Sequence, residues 1–394
     1  MALIRMKKIL VMSSRAPYPL HSGGAIRTYQ VIKLLSRIYT VDLVYITDDL
    51  KDETVSEMGR FCREVIPFPV RKMDYYLNVC KGLISNTLPL QVNYFYFDKV
   101  QSWVDRNIHK YDGVFCNNIR TAEYVRNKKG ITKWLDFVDA ISMNYEKAKK
   151  QETGLWRWLY KVDFTRCRRY EQMVLNAFTK CMIISEVDRD YILSKYKGEK
   201  DITVIGNYVD ISEKVNLHKK NNYQLLFVGR MDYEPNVTAV NYFVENVYPL
   251  VENEIPEVIF YIVGISPSVA VKKLARVDKV VVTGFVEDVA IYMRESAIFV
   301  APMRSGAGVQ NKILQAMSIE GCVITTTIGR EGIEVCHDEL IVADDPVIMA
   351  RQIVLLLRDS EKRKIIGKNA RRYIENHLSE EVIYSKLRSF ILDE

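Results

Sequence analysis

Seven cysteines are scattered through these 394 residues, with no CxxC pair and no spacing to the five histidines that would build a zinc site. A disulfide scaffold and a structural zinc module are therefore not expected, and the cysteines read as small core residues in a reducing compartment. No apolar run approaches the ~18–20 residues that a membrane-spanning helix needs. The first residues, MALIRMKKILVMSS, carry charges among their apolar positions and run straight into a first strand, unlike a secretory signal. There is no low-complexity tract, no GxGxxG after that strand, and no recognised nucleic-acid motif beside the basic residues. These absences leave a cytoplasmic globular protein, at most lying on a membrane surface.

The composition, 48% hydrophobic and 27% charged, is that of an ordinary globular protein. At this length a single hydrophobic core usually stops growing, so two domains of roughly 150–200 residues are expected. The net charge of +7 is uneven: residues 1–200 hold 34 Lys and Arg against 22 Asp and Glu, and the remainder 22 against 27. A basic half of this kind suits phosphate groups or an anionic membrane surface, with a merely solvated surface as the alternative.

Strand signals come as short apolar runs closed by polar residues: KILVMSS at 8–14, TVDLVYITDD at 40–49, DGVFCNN at 112–118, TKWLDFVDA at 132–140 and KCMIISE at 180–186. Between the first two, Ile26, Tyr29, Ile32, Leu35 and Ile38 recur at helical spacing, which makes a right-handed βαβ unit. The signal blurs from 60 to 110, where Tyr, Phe and Asn are dense. Residues 210–222, polar and without a period, read as a linker. A second series follows, with YQLLFVGRM (223–231), EVIFYIVG (257–264), KVVVTGFV (279–286), AIFVAP (297–302), CVITTT (322–327) and ELIVA (339–343). The prediction is an α/β protein of two Rossmann-like, doubly wound domains facing a central cleft, residues 1–210 and 211–375. Residues 376–394 read as an amphipathic helix with Val382, Leu387, Phe390 and Ile391 on its apolar side, expected to pack back on the first domain.

In open α/β sheets ligands lie beyond the carboxyl ends of the strands, which singles out several stretches. HSGGAIRTY at 21–29 puts Gly23 and Gly24 at a helix start, where backbone N–H groups and the helix dipole can meet an oxyanion; a tight turn is the alternative. Arg230, in FVGRMDYEPNVTAV, follows a strand, and Pro235 opens the next helix, a natural place for a diphosphate-binding guanidinium, with a merely exposed surface arginine as the alternative. RSGAGVQNKILQAM at 304–317 places Gln310, Asn311 and Lys312 where a glycine loop becomes a helix. Lys312, in the first turn, is badly placed for the helix dipole, which a ligand anion would explain; an exposed lysine is the plain alternative. Asp136, Asp139 and Ser185 close strands of the first domain. Together these positions suit a nucleoside diphosphate.

Four segments, PYPLHSGGAIRTYQVIKLLS, VIGNYVD (204–210), LLFVGRMDYEPNVTAVNYFVENVYPLV and APMRSGAGVQNKILQAMSIEGCVITTTIGREGIE, resemble in order the hallmark segments of glycosyltransferase family 4. The likeness is strongest to a bacterial polysaccharide-type branch and runs over essentially the whole chain. It implies the GT-B fold and a retaining enzyme that uses a nucleotide sugar, with no cofactor and no metal. At matching positions it implies Gly23 and Gly24 against the donor phosphate and acceptor, and Arg230 and Lys312 on the diphosphate. Asn236 falls where many members carry a lysine. Gly332, with Ile333, would lie near the base or sugar, and backbone around Phe285 and Val286 near the base. Gly24 and Asp139 are the catalytic candidates, and His21, Arg27 and Asp136 the acceptor-side ones.

The departures from the family matter as much. Two glutamates that members commonly hold eight positions apart fall here on Ala307 and Gln315. Gln315 can still hydrogen-bond ribose, but neutral bonds net about 0.5–1.5 kcal/mol against about 1.5–3 for bonds to a charged partner, so nucleotide affinity is expected to fall roughly tenfold or more. Sugar recognition would pass to Gln310 or Asn311. The usual histidine after the fourth strand is absent; Asp139 stands near its place, to stabilise positive charge or take the acceptor proton, or with Asp136 simply to cap a helix. KKQETGLWRWLYKVDFTRCRRYE (149–171) interleaves Trp156, Trp158 and Tyr160 with Arg157, Lys161, Arg166, Arg168 and Arg169. That suits an anionic membrane surface or a lipid-diphosphate acceptor, with inward-packed aromatics as the alternative.

The expected function is transfer of a sugar from a nucleoside-diphosphate donor to a saccharide or lipid-linked saccharide acceptor in bacterial surface polysaccharide synthesis. Peripheral membrane contact fits this, and no nucleic-acid partner is expected; nothing in the sequence assigns an oligomeric state. One alternative is a catalytically weak subunit that binds nucleotide or a partner glycosyltransferase, motivated by Ala307 and Gln315. Another is a nucleotide-sugar epimerase, which fits the architecture but not the GRMDYEPN and QNKILQAM segments.

Overall fold

The computed structural model describes residues 6–20, 22–85, 88–151, 154–211, 221–306, 308–335 and 338–393, with backbone alone at 85, 148–151, 154–160 and 221. The chain divides into two compact units, Met1–Asn207 with Ile383–Glu394, and Tyr208–Val382.

The first unit is built on a parallel sheet of β1 (Lys8–Ser13), β2 (Thr40–Thr47), β3 (Glu64–Pro69), β4 (Gly113–Asn117), β5 (Thr132–Asp136), β6 (Lys180–Ile183) and β7 (Ile202–Val204). Its strand order is β3-β2-β1-β4-β5-β6-β7. The chain winds one way from β1 to β3 and then the other way from β4, so a topological switch point lies between β1 and β4. The second unit repeats the scheme with β8 (Asn221–Val228), β9 (Ile259–Val263), β10 (Val280–Gly284), β11 (Ser296–Ala301), β12 (Val323–Thr325) and β13 (Ile341–Val342). The order β10-β9-β8-β11-β12-β13 sets its switch point between β8 and β11. Both sheets are Rossmann-like, and crevices at such switch points are where open α/β sheets hold ligands.

Central strands read clearly in the sequence because both of their faces are covered: every residue of β4 and β11 is buried. Edge strands read poorly. β3 carries Pro67 and Pro69, which a strand tolerates only at an edge, and its residues are mostly half-buried. It lies in the blurred region, together with the helices Lys72–Ser85, Leu90–Tyr94 and Asp98–Asn107.

The helix Gly23–Leu35 is capped by Ser22, whose Oγ accepts from the Ala25 N–H at 3.3 Å. Ile26 and Tyr29, expected on its apolar face, are only half-buried; Arg27 and Thr28 turn inward instead. The last helix, Glu380–Leu392, buries Ile383, Leu387, Phe390 and Ile391, so Ile383 takes the inward place expected of Val382. It lies on the first unit: the Arg37 guanidinium is 3.6 Å from the Tyr384 ring centroid, and Lys180 Nζ donates to the Phe390 carbonyl at 3.0 Å. Cys62, Cys116, Cys167, Cys181 and Cys322 are buried as expected, whereas Cys80 is exposed. Among the described residues no helix is long and apolar enough to cross a membrane.

Candidate active site

At the switch point of the second sheet, β8 runs out into Gly229-Arg230 and β11 into residues 302–306, while residues 308–310 lead into the helix Asn311–Ser318. Close packing dictates the glycines. A Cβ on Gly229 would come within 2.6 Å of Asn236 Nδ2, and one on Gly264 within 1.7 Å of the Gly229 carbonyl oxygen. Gly306 and Gly308, at φ 128° and 75°, turn the loop in a way other residues resist. A Cβ at Gly306 would lie 3.9 Å from Pro235 Cβ, so this loop runs past the start of the helix Glu234–Asn246.

Lys312 is thereby carried to Asn236. Its Nζ donates to Asn236 Oδ1, while Asn236 Nδ2 donates to the Arg230 carbonyl at 2.9 Å. Nζ also lies 4.5 Å from the Phe227 ring centroid and 3.6 Å from Met303 Sδ. Among the described residues no carboxylate pairs with Lys312. Burial with no counter-charge pushes its amine down to about 7. Arg230 is different: it is exposed and gripped by Asp232, Nε to Oδ1 at 3.1 Å and Nη2 to Oδ2 at 2.8 Å, which holds its pKa above the usual value. Gln310 precedes the helix Asn311–Ser318 without capping it through its side chain, which turns to the Gly308 carbonyl at 3.3 Å. Gln315 is exposed less than one turn beyond Lys312, and Gly332, at φ 77°, is exposed in the loop after β12. Phe285 is exposed just after β10.

In the first unit, a Cβ at Gly23 or Gly24 would meet no atom within 4 Å, so the helix start can be approached closely. The family resemblance implied that Arg27 and Asp136 face an acceptor; the structure turns both inward instead. They are bound to each other in the interior, Arg27 Nε to Asp136 Oδ2 at 2.7 Å. Arg27 Nη1 adds bonds to the Gly206 carbonyl at 2.8 Å and Asn207 Oδ1 at 3.3 Å, and Asp136 Oδ1 accepts from the Val138 N–H at 2.9 Å. The pair ties the first helix to the end of β5. Val138 then takes φ 67°, a strained setting for a β-branched residue.

Asp139 follows immediately. It is half-buried, and its Oδ2 accepts from Asn144 Nδ2 at 2.7 Å. Burial raises its carboxyl to about 6, opposed by the charge of Arg120 and reinforced by Asp188. Ser185 caps the helix Glu186–Leu193, its Oγ accepting from the Asp188 N–H at 3.2 Å, which accounts for its place. His21 and Ala307 lie outside the described residues, as do the side chains of Trp156, Arg157, Trp158 and Tyr160. Among the described residues no group of three or more His, Cys, Asp or Glu is placed to hold a metal ion.

Residues 222–359 match the family model described as Glycosyl transferases group 1. The second unit carries a glycosyl transferase domain. With a Rossmann-like parallel sheet in each unit, the chain is a glycosyltransferase of GT-B fold. It is 25% identical over 404 aligned positions, covering 97% of this chain and 99% of the relative, to an uncharacterized 44.6 kDa protein in the cps region of Klebsiella pneumoniae. In structure it is similar to TarM of S. aureus, with a TM-score of 0.69, 13% identity and 99% of each chain covered. It is also similar to WaaG, a glycosyltransferase involved in lipopolysaccharide biosynthesis, with a TM-score of 0.64, 16% identity and coverage of 98% and 100%.

Within this glycosyltransferase the fold gathers Arg230, Asn236, Gln310, Asn311, Lys312 and Gln315 at one switch point, and Asp139 at the strand ends of the other unit. Sequence reasoning passed over Arg15, Gln91, Tyr94, Phe95 and Arg120, which line cavities of the first unit. Arg15 and Arg120 carry a legible signal, since each follows a strand end by two or three residues. The aromatic residues lie in the blurred stretch and carry none.

Proposed function

We propose that this glycosyltransferase is a retaining, metal-independent enzyme that moves a sugar from a nucleoside-diphosphate donor onto a saccharide or lipid-linked saccharide, in bacterial surface polysaccharide synthesis. Lys312 carries the reading. A half-buried amine at the switch point, partnered by a neutral amide and held near 7, is costly unless an anion joins it. A diphosphate supplies that anion. Arg230 would leave Asp232 for it, an exchange of one exposed ion pair for another, and the start of the helix Asn311–Ser318 adds N–H donors and dipole. The same groups would stabilise the charge that develops on the leaving diphosphate. Gln315 would meet the ribose and Gly332 the base or sugar by backbone.

On the first unit, Asp139 would be ionised at neutral pH and near the operating range, suited to taking the acceptor hydroxyl proton, with Gly24 offering backbone N–H. A S. aureus TarM variant has been solved with UDP, which supports a nucleoside-diphosphate donor, and the cps-region relative supports the polysaccharide role. Retention and metal independence rest on the sequence resemblance. Peripheral membrane contact belongs to the same reading. The helix Lys72–Ser85 exposes Met73, Tyr76, Leu77, Cys80 and Ile84 at helical spacing, beside the exposed Arg71, Lys72 and Lys81.

The test is a thermal-shift titration with UDP, GDP, CDP and ADP on the native protein and on an Arg230→Ala, Lys312→Ala variant. Ligand at 100 times its Kd adds about 2.7 kcal/mol of stability. Stabilisation by one nucleotide, lost in the variant, is the expected result. Equal stabilisation of both proteins would sink the donor-site assignment, and no stabilisation by any nucleotide would favour a weak subunit that works through a partner.

A further inference from the structure

The first unit holds two arginines that this mechanism does not use. Arg15 follows β1 and Arg120 follows β4, the two strands at the switch point. Both guanidiniums lie against one ring, Phe95, at 5.5 and 5.3 Å from its centroid. Both line a cavity of about 300 Å³ together with Gln91 and Tyr94. Arg120 commits only its Nε, donated to Gln91 Oε1 at 2.8 Å, and Gln91 is oriented in turn by donating its Nε2 to the Tyr145 hydroxyl oxygen at 2.9 Å. Among the described residues neither guanidinium has a carboxylate partner, and the terminal nitrogens of Arg120 and the whole guanidinium of Arg15 make no hydrogen bond. Asp139 senses the charge of Arg120, but its carboxylate bonds Asn144.

Two like charges gathered at one cavity, one of them largely desolvated, oppose each other. Burial and then Arg15 lower the pKa of Arg120. Paired planar forks of this kind fit the oxygens of a carboxylate or phosphate. A second cavity of about 470 Å³ shares Arg15, Tyr94 and Phe95 and adds Asp48, Asp49 and Tyr75, a mixture of carboxylates and aromatic faces suited to sugar hydroxyls and ring faces.

We infer that Arg15 and Arg120 form an oxyanion subsite that selects an acceptor saccharide bearing a carboxylate or a phosphate group, its neighbouring sugar lying in the adjoining cavity. The inference rests on the transferase reading for the word acceptor and on the two arginines for the charge.

Calorimetric titrations with D-glucuronate, glycerol 1-phosphate and D-glucose test it, run in an Arg230→Ala, Lys312→Ala background so that phosphate cannot report on the second unit. At least one anion should bind about tenfold or more tighter than glucose. That preference should fall by a similar factor in Arg15→Gln, an exposed change that leaves folding alone, and in Arg120→Lys, which keeps the charge and loses the fork. Which anion binds separates a uronate-type acceptor from a phosphate-bearing one. Anions binding no tighter than glucose, or binding unmoved by both substitutions, overturn the inference. A nucleotide titration of Arg15→Gln with Arg230 and Lys312 intact separates the failures. Nucleotide binding without anion binding leaves the transferase reading standing and removes the subsite. Anion binding without nucleotide binding removes the acceptor role.

Discussion

Lys312 should make nucleotide binding depend on pH near neutrality, where an ordinary lysine would not. Its amine is near 7 in the folded protein against 10.5 for an unperturbed lysine. In the window between those values the unfolded chain binds one more proton than the folded one. Lys312 therefore makes stability rise with pH by up to about 1.4 kcal/mol per unit, and below about pH 7 the folded state carries the full cost of the buried charge. Binding runs the other way. A diphosphate needs the protonated amine, whose fraction falls from about one half at pH 7 to about one in eleven at pH 8, so Kd should rise roughly fivefold over that step and approach tenfold per unit beyond it. The terminal phosphate ionises near pH 6 and is about nine tenths or more charged from pH 7 upward, so it does not mask the effect there. The assay is isothermal calorimetry with the nucleotide identified by thermal shift, from about pH 6.5 to 9 at constant ionic strength. Lys312→Arg, charged throughout, should flatten the curve. A native Kd that stays constant across the range, or an arginine variant that repeats the native slope, would refute the reasoning.

Three further outcomes follow from the same contacts. Asp139→Asn should lower transfer by about 10²–10⁴ without weakening nucleotide binding. It should also stabilise the fold at pH 7 by roughly 1–2 kcal/mol after allowing for solvent screening, because a carboxyl raised from 3.8 to about 6 costs stability as pH rises through that interval. Urea unfolding and initial rates check the two halves, and an unchanged rate removes Asp139 as the base. Arg27→Met leaves the buried Asp136 unpaired and should cost about 3–5 kcal/mol in chemical denaturation, with much of it recovered by adding Asp136→Leu. Gln315→Glu should tighten nucleotide binding about tenfold if the side chain meets the ribose. A gain in binding with no transfer in either protein would point to a weak subunit, whereas a loss of transfer would show an enzyme adapted to glutamine.

The strands that the sequence announced are those whose chemistry is local. β4 and β11 are covered on both faces, so an unbroken apolar run was enough to place them. β3 was missed because Pro67 and Pro69 deny it the usual pattern, and only its place at the sheet edge makes them tolerable. Arg27 was misjudged for a related reason. Its charge suggested a ligand contact, and nothing in its neighbourhood along the chain foretells that Asp136 waits 2.7 Å away in the interior. Gly306 and Gly308, by contrast, announced the turn chemistry that the fold uses.

By itself the sequence determined the paired α/β units, the glycine turns at strand ends and the positions of Arg230 and Lys312, because periodicity and backbone freedom are written in adjacent residues. The tertiary structure decided the chemistry of those positions. It set Lys312 beside a neutral amide while Asp232 took Arg230, and it brought Arg15 and Arg120 to one ring. Desolvation and the closeness of like charges depend on which distant residues the fold assembles, and no local pattern records that.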